Sequence, residues 1–173
     1  MELGLFALAL ADFEAALRVQ PDSPMPLANR GLVFQARGQL DRARADYDAA
    51  LARDPRHAWA LANRCALRAR QGEAKGVEDC DAAVEAAGAT NGWPFAARAG
   101  LRLLRDDREG AEADIAEALR RDRREQTALY LLALLRARRG DEEGAAQAMA
   151  AARAVLPRVK AEMQELFGDQ LLR

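Results

Sequence analysis

The sequence predicts an all-α protein built as an array of antiparallel helix pairs, and three observations predict it. The first is composition. The 173 residues include 41 Ala, 24 Leu, 26 Lys or Arg and 13 Glu, against six Val, one Ile and two Thr. Such a chain favours helix and has few of the β-branched side chains from which sheets are built. The second is recurrence. Asp12-Phe13-Glu14-Ala15-Ala16-Leu17 returns as Asp46-Tyr47-Asp48-Ala49-Ala50-Leu51, as Asp79-Cys80-Asp81-Ala82-Ala83-Val84 and as Asp114-Ile115-Ala116-Glu117-Ala118-Leu119. A degraded copy begins at Ala148, and the markers Ala16, Ala50, Ala83, Ala118 and Ala152 are spaced by 34, 33, 35 and 34 residues. The third is alternation. Leu27-Ala28-Asn29-Arg30-Gly31 matches Leu61-Ala62-Asn63-Arg64-Cys65, continued at Phe95 to Ala99 and Leu129 to Ala133, and Gly38, Gly72, Asp106-Asp107 and Gly140 separate the two motifs. Each unit therefore reads as helix, short turn, helix, stacked on the next.

The elements follow in order within a single domain, 1–173. Residues 1–22 read as the lone second helix of a half unit. The apolar run from Leu3 to Ala11 mimics a secretory signal, but Glu2 stands where a basic flank would be, and the run is far too short to span a membrane. It leaves Leu3, Phe6, Leu10 and Phe13 as a candidate uncovered face. A start upstream of Met1, a second copy of the chain, or a partner helix would each cover it. Full units then occupy 24–57, 58–90, 92–125 and 126–157. Ser23-Pro24 reads as an N-cap and first-turn proline, while Pro21, Pro55 and Pro157 mark helix ends. Beyond Pro157, the helical spacing of Val159, Met163, Leu166, Phe167 and Leu171 predicts a capping helix over 158–172.

Fixed columns explain why the helices must pack. Gly31, Cys65, Ala99 and Ala133 are small, as are Ala9, Ala43, Gly76, Ala111 and Ala145, so helix axes can approach closely there. The column Phe13, Tyr47, Cys80, Ile115 and Met149 fills the space between. The series Leu27, Gly31, Phe34, Ala43, Tyr47, Ala50 and Pro55 resembles the tetratricopeptide repeat, and the likeness covers nearly the whole chain. The later units depart from it: Arg68, Arg102 and Arg136 stand at the place of Phe34, and Arg123 replaces the terminal proline.

The resemblance implies a right-handed superhelical solenoid whose concave face is lined by the first helix of each pair. It also implies a scaffold that holds a peptide or protein of unknown identity rather than an enzyme. Carried onto this chain, the concave face holds Met25, Ala28, Asn29 and Leu32, then Trp59, Ala62, Asn63 and Ala66. Trp93, Ala96 and Ala97 follow, then Tyr130, Leu131 and Leu134. Asn29 and Asn63, whose amides both donate and accept, either hold an extended backbone or are simply tolerated beside a groove. Trp59 and Tyr130 suit partner contact, and Trp93 suits a junction cap. The Lys and Asn clamp by which some family members grip a terminal carboxylate is not supported, since Ala28 and Leu32 occupy two of its places.

A further pattern belongs to this sequence alone. Arg30, Arg64 and Arg98 share one column and Asp46, Asp79 and Asp114 another, while the fourth unit has Leu132 and Ala148 and loses both charges together. That predicts a structural ladder of ion pairs, within units or between neighbours.

The remaining counts exclude chemistry. One His, one Ser and two Cys leave no convergent catalytic set and no full complement for a Cys/His zinc site, so no catalytic residue, metal or cofactor is assigned. A net charge of -1 makes nucleic acid a poor partner despite basic runs at Arg120 to Arg124 and Arg136 to Arg139, and no segment predicts membrane insertion. Cys65 and Cys80 read as buried small hydrophobes in a reducing compartment, which predicts a cytoplasmic protein, or a periplasmic or secreted one if a signal precedes Met1.

Overall fold

The computed structural model describes residues 2–73, 75–157, 161, 163 and 164. Nine helices lie among them: α1 (Glu2–Val19), α2 (Pro24–Ala36), α3 (Leu40–Arg53), α4 (Ala58–Arg70), α5 (Gly76–Ala86), α6 (Trp93–Leu104), α7 (Arg108–Arg121), α8 (Gln126–Arg138) and α9 (Glu142–Val155). No strand occurs among the described residues. The helices pack as the pairs α2/α3, α4/α5, α6/α7 and α8/α9. The first helices α2, α4, α6 and α8 also pack each on the next, and α1 lies against α2. The capping helix expected over 158–172 falls almost wholly outside the described residues, although Met163 is fully buried in the main core.

The turn within each pair has one geometry used four times. Gly38, Gly72 and Gly140 sit at φ 71°, 72° and 78°, and Asp106 takes the same left-handed role at φ 60°. Glycine enters that region without steric cost, and aspartate is among the few side chains that tolerate it. The following amide then reaches back to cap the helix: Gln39 N–H to Phe34 O at 2.8 Å, Glu73 to Arg68 at 2.9 Å, Asp107 to Arg102 at 2.9 Å and Asp141 to Arg136 at 3.0 Å.

Packing within a pair is a trade of volume between two columns. A Cβ on Gly31 would come within 2.7 Å of the Tyr47 ring, so the bare helix of one partner admits the large ring of the other. The third unit holds Ala99 and Ile115 at the same two positions. In the second unit these positions are Cys65 and Cys80, and they form a disulfide between α4 and α5 with Cα atoms 5.2 Å apart. This differs from the expectation of two separate buried thiols. The physical reason is the column geometry itself: it places facing Cβ atoms at closest approach, within disulfide reach.

Candidate functional site: a groove pocket and a ladder of ion pairs

The ladder runs through the helix pairs. Arg30 grips Asp46 with two donors, at 2.8 and 2.7 Å. Arg64 grips Asp79 at 2.9 and 2.7 Å, and Arg98 grips Asp114 at 2.9 and 2.8 Å. Each pair lies within one unit. Arg64 and Arg98 also reach back one unit, to Asp48 and Asp81, at 2.7 and 2.8 Å. The arginines that break the repeat pattern have a role here as well. Arg68 and Arg102 are second cations on Asp79 and Asp114, at 2.6 and 2.8 Å. In the first unit Phe34 instead lies under the Arg42 guanidinium, 3.9 Å from the ring centroid. Asp46, Asp79 and Asp114 are all buried, so each needs the bidentate partner that a guanidinium supplies.

Three first helices and two junctions line a pocket of about 270 Å3. Its floor comes from first helices: Leu32 of α2, Trp59 and Asn63 of α4, and Trp93 of α6. Its mouth comes from two junctions, Thr90, Asn91 and Gly92 before α6 and Asp122, Arg124 and Glu125 before α8, with Gln126 and Thr127 opening α8. The two indoles lie 6.0 Å apart between centroids and are tilted by 49°. Gly92 is required where it stands, because a Cβ there would lie 2.7 Å from the Ala118 carbonyl oxygen. Asn91 Oδ1 accepts the Trp93 amide at 3.2 Å and so sets the start of α6. Glu125 does the same for α8, its Oε2 accepting the Ala128 amide at 2.5 Å.

Several polar atoms here are buried and unsatisfied among the described residues. Asn63 Nδ2 donates to Trp59 O at 2.7 Å, while its Oδ1 has no partner. The indole N–H groups of Trp59 and Trp93 have none either. Buried polar groups are normally paired, and four such atoms, Asn63 Oδ1, the Trp59 and Trp93 indole nitrogens and Thr127 Oγ1, belong to residues lining this one pocket. Glu125 is 7% exposed, and burial pushes its carboxyl up to about 7, with the nearby Asp122 acting in the same direction.

The structure sorts the predicted concave residues. Leu32, Trp59 and Asn63 converge on the pocket. Asn63 is nevertheless fully buried, and with its amide nitrogen spent on its own helix it offers only Oδ1, an acceptor, and no donor. Ala66 is fully buried in the core, and Tyr130 is only 2% exposed, since both belong to the main core where successive pairs meet. Leu134 is half-buried and packs on the core, and Asn29 is half-buried on α2, outside the pocket. Asn91, Gly92, Glu125 and Thr127 were not singled out from the sequence. The repeat alignment held the signal: Ser23, His57, Gly92 and Glu125 form one column immediately before each first helix. His57 caps α4 through Nδ1, which accepts the Ala60 amide at 3.2 Å.

The basic runs are largely neutralised. Arg120 and Arg121 both pair with Glu117, and Arg139 pairs with Glu112. No group of three or more potential metal ligands occurs among the described residues, and no described helix is long and apolar enough to cross a membrane.

Comparison with solved structures identifies the architecture. The chain aligns over 99% of its length, and 93% of the other, with a thermophilic TPR protein from Thermus thermophilus, at a TM-score of 0.74 and 21% identity. It aligns with PilF of Pseudomonas aeruginosa over 98% of this chain and 82% of that one, at a TM-score of 0.66 and 19% identity. MamA of Desulfovibrio magneticus RS-1 matches over 89% and 87%, at a TM-score of 0.59 and 22% identity. No protein-family model and no curated protein matches the sequence. The chain thus has the tetratricopeptide repeat fold, as the columns implied.

Proposed function

We propose that this protein is a non-catalytic scaffold that binds an extended segment of a partner protein along the face of its first helices, anchored at the pocket of Trp59, Asn63, Trp93 and Glu125. The observation that carries this reading is the convergence there of two indoles with buried polar atoms left unsatisfied. Aromatic anchors beside unspent donors and acceptors are what a peptide needs for both contact area and orientation. Random-peptide display on the full chain tests it. Enriched peptides should lose at least tenfold in affinity on Trp59→Ala, with the fold checked by circular dichroism. Peptides indifferent to that change would remove the pocket from the reading.

A second reading is self-association through α1, favoured by Leu8, which is 65% exposed on that helix. Phe6→Asp should then lower the mass seen by analytical ultracentrifugation. A monomer at all concentrations for both proteins would end this reading. The Cys65–Cys80 disulfide favours an oxidising compartment over the cytoplasm for either role. Alkylation of the denatured protein, isolated from its native host under thiol-blocking conditions, should find no free thiol. Two alkylated cysteines would return it to a reducing compartment.

A further inference from the structure

Four carboxylates are buried among the described residues: Asp46, Asp79, Asp114 and Glu125. The first three are each held by arginine at 2.9 Å or less. Glu125 pairs with no described cation. Its Oε2 is engaged by the first turn of α8, an interaction that orients the carboxyl without supplying a full counter-charge. Arg124 is adjacent in sequence, but it is exposed at the pocket mouth and makes no ion pair with Glu125.

The surroundings of Glu125 match one kind of guest. Two indole faces attract a cation through their negative quadrupoles and give an aliphatic stem something to lie on. Asn63 offers Oδ1, an acceptor with no donor. A carboxyl, an unspent carbonyl and two aromatic walls together ask for a positively charged donor at the end of a flexible chain, and the two unpaired indole N–H groups ask for backbone carbonyls of the segment that carries it. A carboxylate guest would meet Glu125 and Asp122 as like charges, and a purely apolar guest would leave Asn63 Oδ1 without a donor and the carboxyl without a counter-charge.

We propose that the pocket takes the side chain of a lysine or arginine carried by the bound partner segment, with Glu125 and Asn63 receiving its donors and Trp59 and Trp93 enclosing its stem. This rests on the groove reading given above and specifies its chemistry. Glu125 is to the guest what Asp79 is to Arg64, with the cation supplied from outside the chain.

The test is selection of a random-peptide display library on the full chain, followed by titration of the enriched peptides. Trp59 and Trp93 are the two tryptophans of the sequence and both line the pocket, so intrinsic fluorescence reports on this site. Glu125→Gln keeps a carbonyl to cap α8 and removes the charge, so the fold should survive, as circular dichroism will verify. The expected result is enrichment of one basic position, at least tenfold weaker binding on Glu125→Gln, and a comparable loss when that residue is replaced by norleucine. Arg124→Ala should raise affinity, because it removes a like charge from the lining of the pocket. Peptides that need Trp59 but carry no basic position, or that bind the Glu125→Gln protein equally well, would overturn the charge recognition and leave the groove reading standing. Enrichment of acidic peptides that depend on Arg124 would likewise overturn it. If no Trp59-dependent peptide is enriched, both readings fall. Replacing Lys by Arg in the winning peptide then says which cation fits better.

Discussion

The ladder and the pocket solve the same problem in opposite ways. Both bury carboxylates in a helical stack. On the ladder, every buried aspartate has its guanidinium, and two have a pair of them. In the pocket, Glu125 sits under a comparable degree of burial with a helix amide and no described cation. The difference separates two uses of a charge. A carboxylate that is paired within the chain ties two helices together, whereas one left without a cation carries a cost to folding.

Breaking the ladder should have the largest effect. Asp79→Ala leaves Arg64 and Arg68 facing each other without their shared anion. It should destabilise the chain by about 3 kcal/mol, read as a lowered urea midpoint. An effect below about 1 kcal/mol would show that solvent already screens the rung. Removing one cation should do less, because Asp79 keeps Arg68. Arg64→Ala should lower the melting temperature more than Arg37→Ala, which is exposed, and equal effects would sink the structural role of the ladder.

The pocket side of the comparison predicts the opposite sign and a pH dependence. The Glu125 carboxyl is raised to about 7 when folded, chiefly by burial, against an ordinary value of 4.5. At low pH both states hold the proton and nothing is lost. Between these values folding must retain a proton that the unfolded chain releases, so stability falls as pH rises through the window, and the penalty persists above it. Glu125→Gln removes that penalty. Its melting temperature should exceed that of the parent by more at about pH 8 than at about pH 5, by an amount equivalent to no more than roughly 3 kcal/mol. A constant gap across this range would mean that the carboxyl ionises freely. The smallest effect belongs to the rungs between units. Asp48 is 50% exposed on its side chain, so Asp48→Ala should change stability by no more than about 0.5 kcal/mol.

How much of this was legible beforehand follows the same division. The repeat columns carried the fold, because each column must meet a fixed neighbour in every unit. Gly31 opposite Tyr47 and the turn residues at 38, 72, 106 and 140 are periodic facts that a single chain displays several times over. The joint loss of both charges at Leu132 and Ala148 pointed to pairing, but spacing left open whether pairs form within a unit or between units. The geometry answers with pairs inside each unit and further contacts to the unit before, because one guanidinium has donors enough for two carboxylates. The arginines at 68 and 102 read as departures from a pattern, although they are second cations on the ladder. The pocket was least legible. Leu32, Trp59 and Asn63 were expected on the concave face, but Asn91, Gly92 and Glu125 come from junctions whose side chains differ in every copy, so the column shows the place and not the group. The resemblance put Asn63, Ala66 and Tyr130 on the concave face, and the structure buries all three against neighbouring helices.

The junction column of Ser23, His57, Gly92 and Glu125 has a consequence for how such a protein diversifies. Each of these residues stands at the start of a helix, and a hydroxyl, an imidazole, a bare backbone and a carboxyl are all accepted there without disturbing the columns that hold the pairs together. Outside Gly92, whose place admits no Cβ, a single codon at one of these sites therefore changes the group presented at a helix start while leaving the columns unaltered. Duplication of a unit supplies a fresh site of the same kind. The solenoid behaves as a common spine on which most junction letters can be rewritten one at a time.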